Sequence, residues 1–245
     1  MKINPQLQKS LWFGFTALCF SGVLFGIELL FNVNGDLQIP MYGPTLATLL
    51  FLWREKKDIG AFLRGGFTFR INLPILLTLL IPVVLTPVIS YYVNAGVVSL
   101  PTDTGLIAFY LVAMFPAVMG EEIGWRGYLL PKLQERYTPF AASLILGLIW
   151  GSWHTPTKLA GITFFVFWFL QLMGGNFLHT FVYNKAKPSL WSAILLHYIF
   201  NMMGFLFMQN RLDVVVVTGI VYLVAGLLFV ALLRKDFSAR PDPDE

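Results

Sequence analysis

Apolar positions gather into eight runs separated by short polar intervals, at about 11–31, 40–53, 74–96, 105–129, 140–154, 161–183, 189–209 and 214–233. A helix needs roughly 17–25 apolar residues to cross the hydrocarbon core of a bilayer. The pattern therefore predicts an all-α, polytopic membrane protein of about eight transmembrane helices. The second and fifth runs are short and need tilt, or one end buried against protein, to span. The intervals 32–39 and 97–104 read as external turns from their Asn, Gly, Asp and Pro content. The longest polar interval, Arg54–Arg70, reads as a cytoplasmic loop whose amphipathic piece (Ile59, Phe62, Leu63, Phe67) lies on the surface. The tail Arg240–Glu245 reads as disordered. The first run is longer than the apolar region of a secretory signal, and no small-x-small cleavage site follows it, so it is expected to stay as a spanning helix.

Composition agrees with this class. Hydrophobic residues make up 57% of the 245 and charged residues 12%, with a mean hydropathy of +0.70; a soluble domain carries about 25% charged residues. Positive charge sets orientation, because loops left in the cytoplasm are enriched in Lys and Arg. With eight spans and a cytoplasmic N-terminus, fourteen Lys and Arg fall inside and only Lys158 and Arg211 outside, with Arg126 within the membrane. Every inside segment carries at least two, and a wrong span count would scramble that alternation. The expected orientation is N-in, C-in, in what reads as a bacterial plasma membrane. The net charge of +4 comes with no basic stripe interleaved with aromatics, so nucleic acid is excluded as a partner. The one cysteine, Cys19, allows no internal disulfide and is expected to be a small core residue.

Against this background the charges within spans stand out, since an ionisable group at the bilayer centre costs at least about 2.5–3.5 kcal/mol. Glu121, Glu122 and Arg126 lie in the fourth run. Glu122 and Arg126 are i,i+4 and can pair on one helix face, whereas Glu121 is rotated by about 100°. One glutamate can thus be held by Arg126 while the other acts. His154 closes the fifth run, with Trp150 four residues before it, so that the indole can pack on or bond to the imidazole; Gly151 permits close packing and Pro156 ends the helix. His197 and Asn201 are i,i+4 in the seventh run, amid Leu, Ile and Phe. His179, after Gly174 and Gly175, reads as structural. Each group alone also suits a plainer role: a buried ion pair, an interfacial histidine, interhelical hydrogen-bond glue. Together they form an inventory for activating water on a carbonyl, with a glutamate as general base and donors for an oxyanion. Zinc ligation suits the same residue types, although no His-Glu-x-x-His occurs. A Gly-x-Ser-x-Gly elbow is also missing, and Asp103 and Asp213 fall in predicted turns.

Glu121-Glu122-x-x-x-Arg126, Trp150-x-x-x-His154 and His197-x-x-x-Asn201, in that order over roughly residues 105–205, resemble the three motifs of the CPBP intramembrane proteases. That group contains CAAX prenyl protease 2 (the Rce1 type) and bacteriocin-processing or immunity proteins. Trp150 stands where the family pattern often has Phe. The resemblance implies an intramembrane endopeptidase acting on membrane-associated peptides or membrane proteins, CAAX-prenylated or leader-peptide substrates among them. It implies Glu121 and His154 as the water-activating residues, His197 and Asn201 as the oxyanion pair, and Glu122 with Arg126 as support. The implied mechanism is metal-free, with zinc held by Glu121, His154 and His197 as the alternative. A non-catalytic immunity or binding protein using the same polar cavity is the competing function. The resemblance places a catalytic core at 105–210, preceded by helices and a loop at 1–104 and followed by a last helix and tail at 211–245. Glu121 precedes the inside loop at 130–139 by about 13 Å of helix, so the cavity is expected to open to the cytoplasm.

Overall fold

The computed structural model describes residues 4–33, 37–98, 100–154, 160–186, 189–209 and 211–239. Every regular element among them is helical. In order these are α1 (Pro5–Leu30), a 3₁₀ turn (Ile39–Tyr42), α2 (Gly43–Arg54), α3 (Ile59–Gly66), α4 (Leu73–Val93), α5 (Thr104–Glu122), a π turn (Ile123–Leu129), α6 (Leu130–Gln134), α7 (Pro139–Trp153), α8 (Ile162–Lys185), α9 (Leu190–Phe207), α10 (Leu212–Leu232) and α11 (Arg234–Ser238). The tail Arg240–Glu245, Pro156 and Lys158 lie outside the described residues.

Helix starts follow capping chemistry. The side chains of Asn4, Asp58, Asn72 and Asp103 accept from the backbone N–H of Gln6, Ala61, Ile75 and Leu106, satisfying donors that a helix N-terminus leaves open. All eight apolar runs are helical. Among the described residues six helices are long and apolar enough to cross a membrane; the runs marked as short form α2, of 12 residues, and α7, of 15. The fourth run extends past its expected end: α5, the π turn and α6 make one apolar rod, Thr104–Gln134. The amphipathic α3 packs Ile59 and Phe62 against the main core. Cys19 corrects its expectation: it is exposed on the outer side of α1, while Phe13, Ala17 and Ser21 face inward.

Close helix contacts explain two glycines. A Cβ on Gly174 of α8 would lie 2.0 Å from the Tyr222 carbonyl oxygen of α10. On Gly124, in the π turn, it would lie 2.4 Å from Pro44 at the start of α2. The first lets α8 and α10 run in backbone contact; the second seats α2 against the widened turn that follows the glutamates.

Side-chain ties separate the two ends of the bundle. At one end Lys9 pairs with Glu55, Gln6 donates to the Lys132 carbonyl, Ser192 donates to the Arg70 carbonyl and Lys185 pairs with Asp236. At the other, Ser21 donates to the Pro40 carbonyl, Ser90 to the Phe207 carbonyl and Arg211 to Asn94.

Candidate active site

Glu121 and Glu122 end α5 where the chain passes into the π turn, and both are fully buried. Single π turns inside α-helices recur at functional sites. Here the widened turn keeps two i,i+4 pairs. Arg126 Nη1 donates to Glu122 Oε1 at 2.6 Å, the pairing expected from spacing. Trp125 Nε1 donates to Glu121 Oε2 at 3.2 Å.

Glu121 takes a second donor from another helix, Trp150 Nε1 of α7, at 2.7 Å. The ring packs on His154 as expected, edge to face with centroids 5.7 Å apart, while the indole N–H serves Glu121 and the Trp150 carbonyl meets His154 Nδ1 at 3.0 Å. A carbonyl only accepts, so His154 Nδ1 carries the proton. His154 caps α7 and its ring lies against Trp153 and Trp168, with centroids 4.6 and 4.5 Å away. Glu121 Oε1 is buried and has no hydrogen-bond partner among the described residues.

Glu122 Oε1 also accepts from His197 Nδ1 of α9, at 2.8 Å. Arg126 is buried without exposure, stands 4.2 Å from the Trp150 ring centroid, and donates from Nη2 to Asn176 Oδ1 at 2.7 Å. Asn176 in turn donates to the Ser143 carbonyl at 2.6 Å. The division of labour between the glutamates is therefore visible in their partners. Glu122 is fixed by two cationic or cation-capable groups, Glu121 by two neutral indoles. Asn201 donates to Met114 Sδ at 3.2 Å, a weak acceptor.

Sequence reasoning passed over Asn176, Trp125 and the position of His179. The signal for Asn176 was an amide in an apolar run. His179 is buried within the cluster, with ring centroids 5.5 Å from His197 and 6.0 Å from Trp150, and its Nδ1 bonds the Gly175 carbonyl at 2.8 Å. Among the described residues, the group whose ligand atoms lie within 4.8 Å of one another is Glu122, His179 and His197. The set expected for zinc, Glu121, His154 and His197, is not such a group, and one oxygen of Glu121 is committed to two indoles.

Glu121, His154, His179, His197 and Asn201 line one cavity of about 1470 Å³. Among the described residues the 130–139 loop lends no lining residue to this cavity, so the expected opening there is not found; Leu129, Leu130 and Leu133 are buried to within 1% on that side. The cavity instead runs the other way, past Ser21, Glu28, Pro40, Pro101, Tyr110 and Gln209.

Buried carboxylates, histidines and an amide facing a shared cavity inside an all-helical membrane protein are the equipment of an intramembrane hydrolase. A family profile described as "Type II CAAX prenyl endopeptidase Rce1-like" matches residues 103–203, a span that holds all seven motif residues. A "CAAX prenyl protease 2" of Methanococcus maripaludis is 26% identical over 262 aligned positions, covering 94% of each chain. Both comparisons make the chain similar to Rce1-like CAAX prenyl endopeptidases, in line with the resemblance carried by its three motifs.

Proposed function

We propose that this protein hydrolyses peptide bonds of membrane-associated substrates, with water activated by Glu121 and His154. The observation that carries the reading is the convergence of Glu121, His154, His197 and Asn201, from three helices or helix ends, on one cavity. Two indole donors hold Oε2 of Glu121, which leaves Oε1 as the basic oxygen.

In the proposed reaction a water oxygen, oriented with the help of His154, adds to the scissile carbonyl carbon while its proton passes to Glu121 Oε1. The carbonyl oxygen becomes an oxyanion that accepts hydrogen bonds from His197 and Asn201. His197 gives Nδ1–H to Glu122, so its donation to the oxyanion uses Nε2–H of the imidazolium, whose charge Glu122 balances. The Asn201 amide exchanges its weak contact with Met114 for the same oxygen. The C–N bond then breaks as Glu121 returns the proton to the leaving amine. Arg126, anchored by Asn176, keeps Glu122 in place. No step passes through a metal. The profile match and the relative's name support a peptide near a lipid anchor of the CAAX type as the substrate class.

The test is cleavage of a membrane-anchored fluorogenic peptide by purified Glu121→Ala and His154→Ala proteins that keep the wild-type elution profile in detergent. Each is expected to lose activity by more than about 100-fold. Full activity in either removes the role assigned to that residue. Peptide binding that survives in an inactive wild-type protein supports the immunity or binding function instead.

A further inference from the structure

We propose that the cavity opens on the non-cytoplasmic side of the membrane, and that the scissile peptide reaches Glu121 from that side, held by an apolar anchor in the outer leaflet. The substrate part of this inference rests on the protease reading above; the sidedness does not.

Every helix that contributes to the cavity does so along the half that points the same way. On α1 the lining runs from Leu18 to Glu28, toward the C-terminus. On α5 it runs from Glu121 back to Leu106, and on α8 from His179 back to Phe164, both toward the N-terminus. On α9 it runs from His197 forward to Met208 and then Gln209. These halves share the bundle end tied by Ser21–Pro40, Ser90–Phe207 and Arg211–Asn94. No lining residue comes from 54–72, 130–139 or 184–186 at the opposite end.

The two ends differ sharply in charge. Among the described residues the closed end carries eleven Lys and Arg, Lys9, Arg54, Lys57, Arg70, Lys132 and Arg136 among them, against Arg211 for the open end. Arg211 is moreover paired with Asp213. By the positive-inside rule the closed end is cytoplasmic, so the mouth faces out. A prenylated C-terminus displayed on the cytoplasmic face would meet the end shut by Leu129, Leu130 and Leu133.

The mouth also suits an anchored peptide. Leu18 and Phe25 on α1 and Leu106 on α5 line the cavity while 40%, 53% and 41% exposed. An apolar anchor can lie against them in lipid while the peptide beyond it extends inward. Glu28 and Gln209 supply polar edges at the same level.

The experiment uses the full chain in its host membrane, in a Cys19→Ser background that removes the one cysteine. Single cysteines are placed at Gln209→Cys and Val97→Cys on the open end and at Lys57→Cys on the closed end, and intact cells are treated with a membrane-impermeant maleimide. The expected result is labelling of the first two in intact cells and of Lys57→Cys only after lysis. The reverse pattern overturns the proposal, and either open-end variant decides if the other does not fold. In parallel, a lipid-anchored, quenched fluorogenic peptide is added to the outside of intact cells, with a Glu121→Gln strain as control. Glutamate-dependent cleavage from outside supports the proposal. Cleavage only in lysed cells overturns its substrate part. If neither preparation cleaves, the protease reading fails and the labelling alone still decides the sidedness.

Discussion

Trp150 and Glu121 stand 29 positions apart in the chain and meet through one hydrogen bond, the indole N–H to carboxylate Oε2 at 2.7 Å. The same ring lies beneath the Arg126 guanidinium, so Trp150 touches both the acting glutamate and the support of its neighbour. Phenylalanine at this position keeps an aromatic ring and removes the N–H. A hydrogen bond to a charged group is worth about 1.5–3 kcal/mol, or about 10- to 100-fold in rate. Trp150→Phe is therefore expected to lower kcat by about that factor with the protein still folded. Steady-state kinetics on the anchored peptide check it, and a kcat within twofold of wild type would show that Trp150 acts only by packing.

Asn176 links Arg126 to the Ser143 backbone. Truncation strands a guanidinium donor and a carbonyl in a dry interior, at about 1–3 kcal/mol for each group left unpaired. Asn176→Ala is expected to lower the thermal midpoint in detergent and to reduce kcat. Asn176→Asp keeps the acceptor for Arg126 and is expected to retain more activity than the alanine variant. Equal loss in both would mean that the Ser143 contact, not the Arg126 contact, matters.

The closed end has its own titrating group. Burial alone would raise the Glu55 carboxyl, but hydrogen bonds from Lys9 and Tyr128 outweigh it and hold the group below its ordinary value of 4.5. A carboxyl lowered in the folded state contributes stability that is fully present above the unfolded value and is lost as pH falls through the folded value. Glu55→Gln should thus lower the thermal midpoint at pH 7, and its deficit relative to wild type should shrink as the pH drops below 4.5. Melting curves across that range check the sign; a deficit that grows on acidification would contradict it.

Activity is expected to persist after stringent chelation, with no stoichiometric metal by elemental analysis. Loss of activity that zinc restores would contradict the metal-free scheme. It would point to Glu122, His179 and His197, whose ligand atoms converge, rather than to Glu121, His154 and His197.

What the sequence makes legible is what lies on one helix. Glu122 and Arg126 pair because four residues of helix separate them, and the eight apolar runs become helices because nothing polar interrupts them. Contacts between helices were less readable. Trp150 as a donor to Glu121 depends on how α7 lies against α5, and His179 joins His197 only because α8 and α9 pack side by side. The direction of the cavity is hidden from the sequence for the same reason. A helix end about 13 Å from a loop looks like an entrance, but the rod continues through the π turn to Gln134 and its leucines fill the space. Cys19 lies outside the core because in a membrane the core covers only part of each helix.

The central claim is that the Glu121 carboxylate is the base that activates water. Glu121→Gln is nearly isosteric, and its amide oxygen can still accept from Trp125 and Trp150, so the fold and the cavity should survive while basicity is lost. The decisive measurement is the single-turnover cleavage rate of the anchored peptide by purified Glu121→Gln protein with an unchanged melting curve. A fall of about 100-fold or more with peptide binding retained is the predicted result. A rate close to wild type would contradict the account.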